Sequence, residues 1–263
     1  MNNVLILDQK NYKSKWYNNY TLEENDLLVC NVKPRYYFVD KVFLILKNRI
    51  DSDIFKSNDT KWNNKNFLKS HLQKCVRRGK KKLAIKSAVE LIKLDKNDFI
   101  RRLPIIMIED SDIFSFFPTL IWFMIAISKG YNLTNRDVKY ILGCVRAITK
   151  CKSKFEYSSL KEPTVFETNN NIYNNCILLR INYGGMKGDI NMLKKSTGVI
   201  NNYNILKKKV KFIKINDTNL TLSDTLPMGM DFHVSSNILY KIQDFVKKNK
   251  NIYIDINTIK KWM

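Results

Sequence analysis

The chain has 263 residues, enough for one large domain or two modest ones, and its 44% apolar and 12% aromatic content excludes an intrinsically disordered polymer. Lys plus Arg number 46 against 24 for Asp plus Glu, a formal charge of +22, which excludes an acidic or neutral surface and costs the compact state self-repulsion. A polyanion would relieve that repulsion. Nucleic acid is the first candidate and an anionic membrane surface the second, while a solvated surface enriched in Lys and Asn by AT-rich coding is the bland alternative.

In chain order, residues 1–60 form a mixed N-terminal segment in which VLILD and YYFVDKVFLILKNRI are ordered but fit helix and strand equally by pattern. MNNVLILDQK turns polar after a short apolar run, unlike a cleavable signal peptide. Residues 61–150 read as a helical domain. Phe67, Leu68, Leu72, Cys75 and Val76 recur at helical spacing, and Gly79 supplies a stop. Ala84, Ile85, Ala88, Val89 and Ile92 then make an apolar stripe opposite Lys82, Lys86 and Lys93. Asn97 or Asp98 is placed to cap a third helix carrying RRLPIIMIED.

After Asp112 the uncharged run IFSFFPTLIWFMIAIS spans sixteen residues, short for a membrane helix and interrupted by Pro118, so a buried core helix is expected. TNRD at 134–137 has the form of a capping box, opening a helix with Val138, Ile141, Leu142, Val145 and Ile148 inside and Lys139, Arg146 and Lys150 outside.

The C-terminal region, 151–263, begins with a polar excursion to residue 170 and resumes as a helix at NIYNNCILLRINY. GGMKGD breaks that helix and a shorter one follows. Alternation at Lys209-Val210-Lys211-Phe212 favours a short hairpin, and Ser235 or Ser236 caps a further helix. The predicted fold is therefore mainly α, a multi-helix bundle with a small β hairpin or irregular element in the C-terminal third.

Chemistry-bearing constellations are sparse. Five scattered cysteines without a CxxC pair, and only two histidines, argue against a disulfide framework or a zinc site and for a reducing, intracellular compartment. Asp231 and His233 have the spacing of an acid/base pair on a strand but lack a nucleophile or third partner, and a structural histidine is preferred. GGMKGD offers backbone amides for a phosphate, yet a tight interhelical turn is the simpler reading. Arg101, Arg102, Glu109 and Asp110 flank a segment apolar on every side. Buried charges must be paired, so these four are expected to satisfy one another and nearby helix ends as structural ion pairs.

Four basic clusters stand out: Arg77, Arg78, Lys80, Lys81 and Lys82; Lys194 and Lys195; Lys207, Lys208, Lys209, Lys211 and Lys214; and Lys247, Lys248 and Lys250. Tyr203 and Phe212 interleave with the third. Such faces neutralise phosphates and carry little sequence information.

Residues 72–113, with Leu72-Gln73-Lys74, Arg77, Gly79, Arg101-Arg102 and Glu109-Asp110, resemble the C-terminal helical region of the RarA/MgsA-type replication-recombination ATPases, relatives of Werner-helicase-interacting protein. The resemblance implies a clamp-loader-collar-like region that mediates oligomerisation. It does not imply ATPase activity, because the chain has no GxxxxGK[ST] and no Walker-type acidic strand. The expectation is a non-enzymatic, cofactor-free accessory factor of DNA replication, repair or transcription. It would bind nucleic acid, DNA in preference to RNA, through the first three clusters, with self-association and without a membrane. An assembly subunit of a larger nucleoprotein particle is the alternative.

Overall fold

The computed structural model describes residues 1–38, 40–56, 60, 62–214 and 220–221. Its N-terminal segment is a four-stranded mixed sheet. β1 (Asn2–Asp8) and β2 (Lys13–Asn19) form a hairpin, β3 (Leu27–Val32) and β4 (Val42–Lys47) pair antiparallel, and β1 joins β4 in parallel, giving the order β2-β1-β4-β3. The two central strands carry the near-continuous apolar runs VLIL and VFLIL expected of strands covered on both faces. Leu5, Leu7, Val42, Leu44 and Leu46 face the main core. Val4, Ile6 and Ile45 face the other way, beneath Tyr17, Tyr20 and Phe43. The β1–β2 turn is built by side chains: Asp8 accepts from the Lys10 amide and the Asn11 amide group, and Asn11 accepts from the Lys13 amide.

Six helices follow among the described residues. α1 (Lys65–Arg77) starts at Asn64, whose side chain accepts from the Phe67 amide at 2.9 Å. α2 (Lys81–Asp110) is two helices meeting at Asp95, whose dihedrals (φ −156°, ψ 91°) are extended. Asp95 accepts from the Asp98 amide at 2.9 Å, so it caps the second half in place of the expected Asn97 or Asp98. Pro104 lies inside that half without a break in helical dihedrals. α3 (Phe117–Ser128) is buried from Phe117 to Ile127 and begins at Phe117 rather than just after Asp112, with Pro118 in its first turn, where proline is well suited. α4 (Asn135–Thr149) opens with the full Thr134/Asp137 capping box. α5 (Ile172–Asn182) and α6 (Lys187–Thr197) close the series, joined by a turn with Gly184 at φ +68° and Gly185 at φ +152°.

The protein is thus an α/β fold rather than a mainly α bundle, and its sheet sits at the N-terminus rather than in the C-terminal third. The alternation at Lys209–Phe212 is real, but the chain there lies against α4: the Ile213 amide donates to the Lys139 carbonyl at 3.1 Å. Among the described residues of that region, Leu206 alone makes a bridge, to Phe114. The helix expected after Ser235 and the Asp231/His233 pair lie outside the described residues. Among the described residues, no helix is long and apolar enough to cross a membrane.

Sheet and helices share one apolar core, running from Leu5 to Leu220. α3 lies against the sheet, where the Trp122 indole donates to the Ile45 carbonyl at 3.1 Å and Thr119 donates to the Tyr12 carbonyl at 3.0 Å. The 151–170 excursion is anchored as well: the Phe155 amide donates to Ser111 at 2.7 Å and its buried ring meets Tyr203 edge-on.

The deepest polar contact is at Asp137, which is 0% exposed. One oxygen accepts from Gln9 (3.0 Å) and Tyr12 (2.7 Å), the other from Tyr131 (3.0 Å) and the Thr134 amide (2.9 Å). Burial first, and the Asp137 charge next, raise the Tyr12 and Tyr131 hydroxyls far above the ordinary tyrosine range, so both remain donors. Asp137→Asn would aim an amide N–H₂ at two of these donors. We expect a loss of about 2–4 kcal/mol in urea denaturation, against about 1 kcal/mol for Thr134→Ala, which removes a cap alone.

Candidate nucleic-acid interface

Three separate segments deliver cations to one surface. The first is the turn between α1 and α2. Gly79 takes φ +66° there, and the Lys80 amide donates back to the Cys75 carbonyl at 2.8 Å. A side chain at Gly79 would sit 3.8 Å from the Thr149 carbonyl, so this turn abuts the end of α4. The second is the outer face of α4, with Lys139, Arg146 and Lys150. The third is the extended stretch 206–214. Hydrogen bonds pin it at both ends, Leu206 to Ile113 and Ser115 at 3.0 and 2.9 Å and Ile213 to Lys139.

Gly143 makes this docking possible. A Cβ there would lie 2.4 Å from the Lys211 carbonyl and 2.6 Å from the Val210 side chain, so only glycine admits the backbone so close to α4. Phe212, 44% exposed, packs against Tyr12 and Tyr140 with the Arg136 guanidinium over its ring at 5.2 Å. The ammonium of Lys208 lies over Phe114 at 5.9 Å.

The electrostatic consequence appears at Lys150. Its ammonium is pushed below the ordinary lysine range, first by Lys81, then by Arg146, with further contributions from slight desolvation and from Lys208 and Lys211. Four cations from three segments therefore act on Lys150, making a group of five. None of the five pairs with a carboxylate among the described residues.

The predicted clusters divide. Lys80, Lys81 and Lys82 are exposed at the α1–α2 turn, as are Lys207, Lys208, Lys209 and Lys211 on the docked stretch. Arg78 is half-buried. Arg77 points elsewhere, donating to Asp110 at 2.6 Å. Lys194 pairs with Glu162 at 3.0 Å and Lys195 donates to the Ser158 carbonyl at 3.3 Å, so these two fasten α6 to the 151–170 excursion. Lys247, Lys248 and Lys250 lie outside the described residues. Arg146 and Lys150 were visible in the sequence as the polar face of α4, but nothing local said that two distant segments would join them.

The RRLPIIMIED charges form a network whose partners come largely from other helices. Asp110 accepts from Arg77 and, at 2.9 Å, from Gln73; Glu109 accepts from Gln73 at 2.8 Å. Arg102 reaches Asp189 of α6 at 2.9 Å and stands 3.8 Å from Glu109. Arg101 donates to the Tyr183 carbonyl at 2.7 Å and makes no ion pair among the described residues. Of the four charges expected to satisfy one another and nearby helix ends, Arg102 and Glu109 meet directly, Arg101 meets the end of α5, and the other partners come from α1 and α6.

Comparison with protein-family models, with curated proteins and with solved structures returns no match, and so gives no link to the replication-recombination ATPases that residues 72–113 resemble. The network itself makes a prediction. Glu109 is raised above the ordinary glutamate range by burial and then by the Asp110 charge, so its ionisation opposes folding. Its stabilising contribution is present below the unfolded-state pKa and lost as pH rises through the raised one. Glu109→Gln should therefore gain on wild type between about pH 4 and 7 and lie within about 1 kcal/mol of it at pH 7. Asp110→Asn, which breaks the Arg77 pair, should lose about 2–3 kcal/mol. Denaturant titrations across that pH range check both.

Proposed function

We propose that this protein binds nucleic acid through the phosphate backbone, on the cationic surface formed by the α1–α2 turn, the outer face of α4 and the stretch 206–214. The observation that carries the reading is the convergence of Lys81, Arg146, Lys150, Lys208 and Lys211 without acidic partners among the described residues. Charges that repel one another in the free protein are stabilised together when a phosphate chain lies between them, and counterions released from that chain favour binding. The half-exposed Phe212 ring beside Arg136 adds a surface on which a base can stack. Lysines aimed at phosphates fix position rather than sequence, so the binding is backbone-directed, with DNA preferred. The collar-like resemblance of residues 72–113 supports an accessory, non-enzymatic role in replication, repair or transcription.

Fluorescence anisotropy with single-stranded DNA, duplex DNA and RNA across a salt series tests the reading. Wild type should bind at low salt, with log affinity falling linearly against log salt. Replacing Lys81, Lys150, Lys208 and Lys211 by Gln should weaken binding by about a hundredfold at low salt and flatten the slope by about 3–4. Gly143→Ala, which changes no charge, should weaken binding by about tenfold by lifting the 206–214 stretch from α4. No affinity for any of the three at low salt, or a quadruple variant with wild-type affinity and slope, overturns it.

A further inference from the structure

Away from that surface, α1, the second half of α2 and the α5–α6 turn line an open cleft of about 380 Å³. Its charge is unbalanced. Lys69, Arg101, Arg102 and Arg180 line it against two carboxylates, Asp98 and Asp189. Both carboxylates are already engaged: Asp98 by Lys65 and Lys69 at 3.0 and 3.2 Å, Asp189 by Arg102 at 2.9 Å. Neither Arg101 nor Arg180 forms an ion pair among the described residues, although the Asp189 charge, already paired with Arg102, acts on Arg180 from further off.

Arg180 is the unusual member, because it is only 3% exposed. Its Nε and Nη1 donate to the carbonyls of Arg101 and Gly184, at 3.1 and 2.6 Å. Its Nη2 has no hydrogen-bond partner among the described residues, and it lies beside Gly185, at 3.8 Å from where a Cβ there would stand. A buried guanidinium held only by carbonyls is costly unless something neutralises it. In the same wall, Ser70 Oγ is shielded from solvent and has no hydrogen-bond partner among the described residues. Two arginines and a serine lining one cleft carry the donor types that recognise a tetrahedral oxyanion.

We propose that this cleft is a binding site for a phosphate monoester, with Arg180 and Arg101 as the charged donors and Ser70 as the neutral one. The site uses none of the residues of the cationic surface and stands or falls separately from it.

The test is the thermal denaturation midpoint of the full chain in inorganic phosphate, against sodium chloride at matched ionic strength, with affinity from calorimetric titration. Phosphate should raise the midpoint where chloride does not. Arg101→Gln and the charge-neutral Ser70→Val should each weaken phosphate binding by about tenfold while far-ultraviolet circular dichroism stays unchanged. If Arg101→Gln fails to fold, Ser70→Val decides. The variant lacking Lys81, Lys150, Lys208 and Lys211 should retain wild-type phosphate affinity. A nucleoside monophosphate and a 5′-phosphorylated oligonucleotide, the latter against its 5′-hydroxyl form in that quadruple variant, distinguish a free ligand from a strand end. Preference for either phosphorylated species supports the site. Equal midpoints in phosphate and chloride, wild-type affinity in Ser70→Val, or loss of phosphate binding in the quadruple variant overturns it.

Discussion

Asp137 sits where three parts of the molecule meet, and the position of α4 depends on it. The carboxylate caps its own helix through Thr134, takes the Tyr131 hydroxyl from the α3–α4 turn, and takes Gln9 and Tyr12 from the turn between β1 and β2. A fully buried charge is tolerable only when its lone pairs are occupied, and here four donors occupy them. The same contact that starts α4 therefore fixes it to the sheet. Tyr12 then stacks on Tyr140 one turn further along, with ring centroids 4.1 Å apart, so the helix is held in rotation as well as in place. With its inner face committed, Lys139, Arg146 and Lys150 have only the outside to occupy.

The excess positive charge is handled in two ways. Around Gln73, Arg77, Arg102, Glu109, Asp110 and Asp189, cations and carboxylates are partly buried and bind one another across α1, α2 and α6. Such a network specifies which helices meet more than it stabilises them, because desolvation offsets much of the attraction. On the surface formed by the α1–α2 turn, α4 and the 206–214 stretch, Lys81, Arg146, Lys150, Lys208 and Lys211 have no carboxylate partner among the described residues. Solvent screening makes that arrangement tolerable, but it stores repulsion that a polyanion can release.

Parts of this structure were legible in the residues. The α4 capping box, the glycine stops and the apolar stripes of α1 and α2 are local signals, and they place helices correctly. The buried nature of IFSFFPTLIWFMIAIS followed from its lack of charge, though α3 starts only at Phe117, with Pro118 in its first turn. The sheet was not legible. VLIL and VFLIL lack the alternation that marks a half-buried strand, because both lie at the centre of the sheet and are covered on two sides. Conversely, Lys209–Phe212 alternates as an edge strand does, yet its partner is the backbone of α4 at Gly143, which no local pattern announces.

The sequence by itself determined the large positive excess, the helical periods and the need to pair the RRLPIIMIED charges, since each follows from composition or from spacing along one chain. Only the tertiary structure decided which charges were spent internally and which stayed on the surface. Arg77 and Lys81 are four residues apart in one basic run, but one closes on Asp110 while the other joins Arg146 and Lys208 across the fold. The physical reason is that electrostatic and hydrogen-bonding partners are chosen by distance in space. That distance is set by how the sheet, α3 and α4 pack on a shared core rather than by order along the chain.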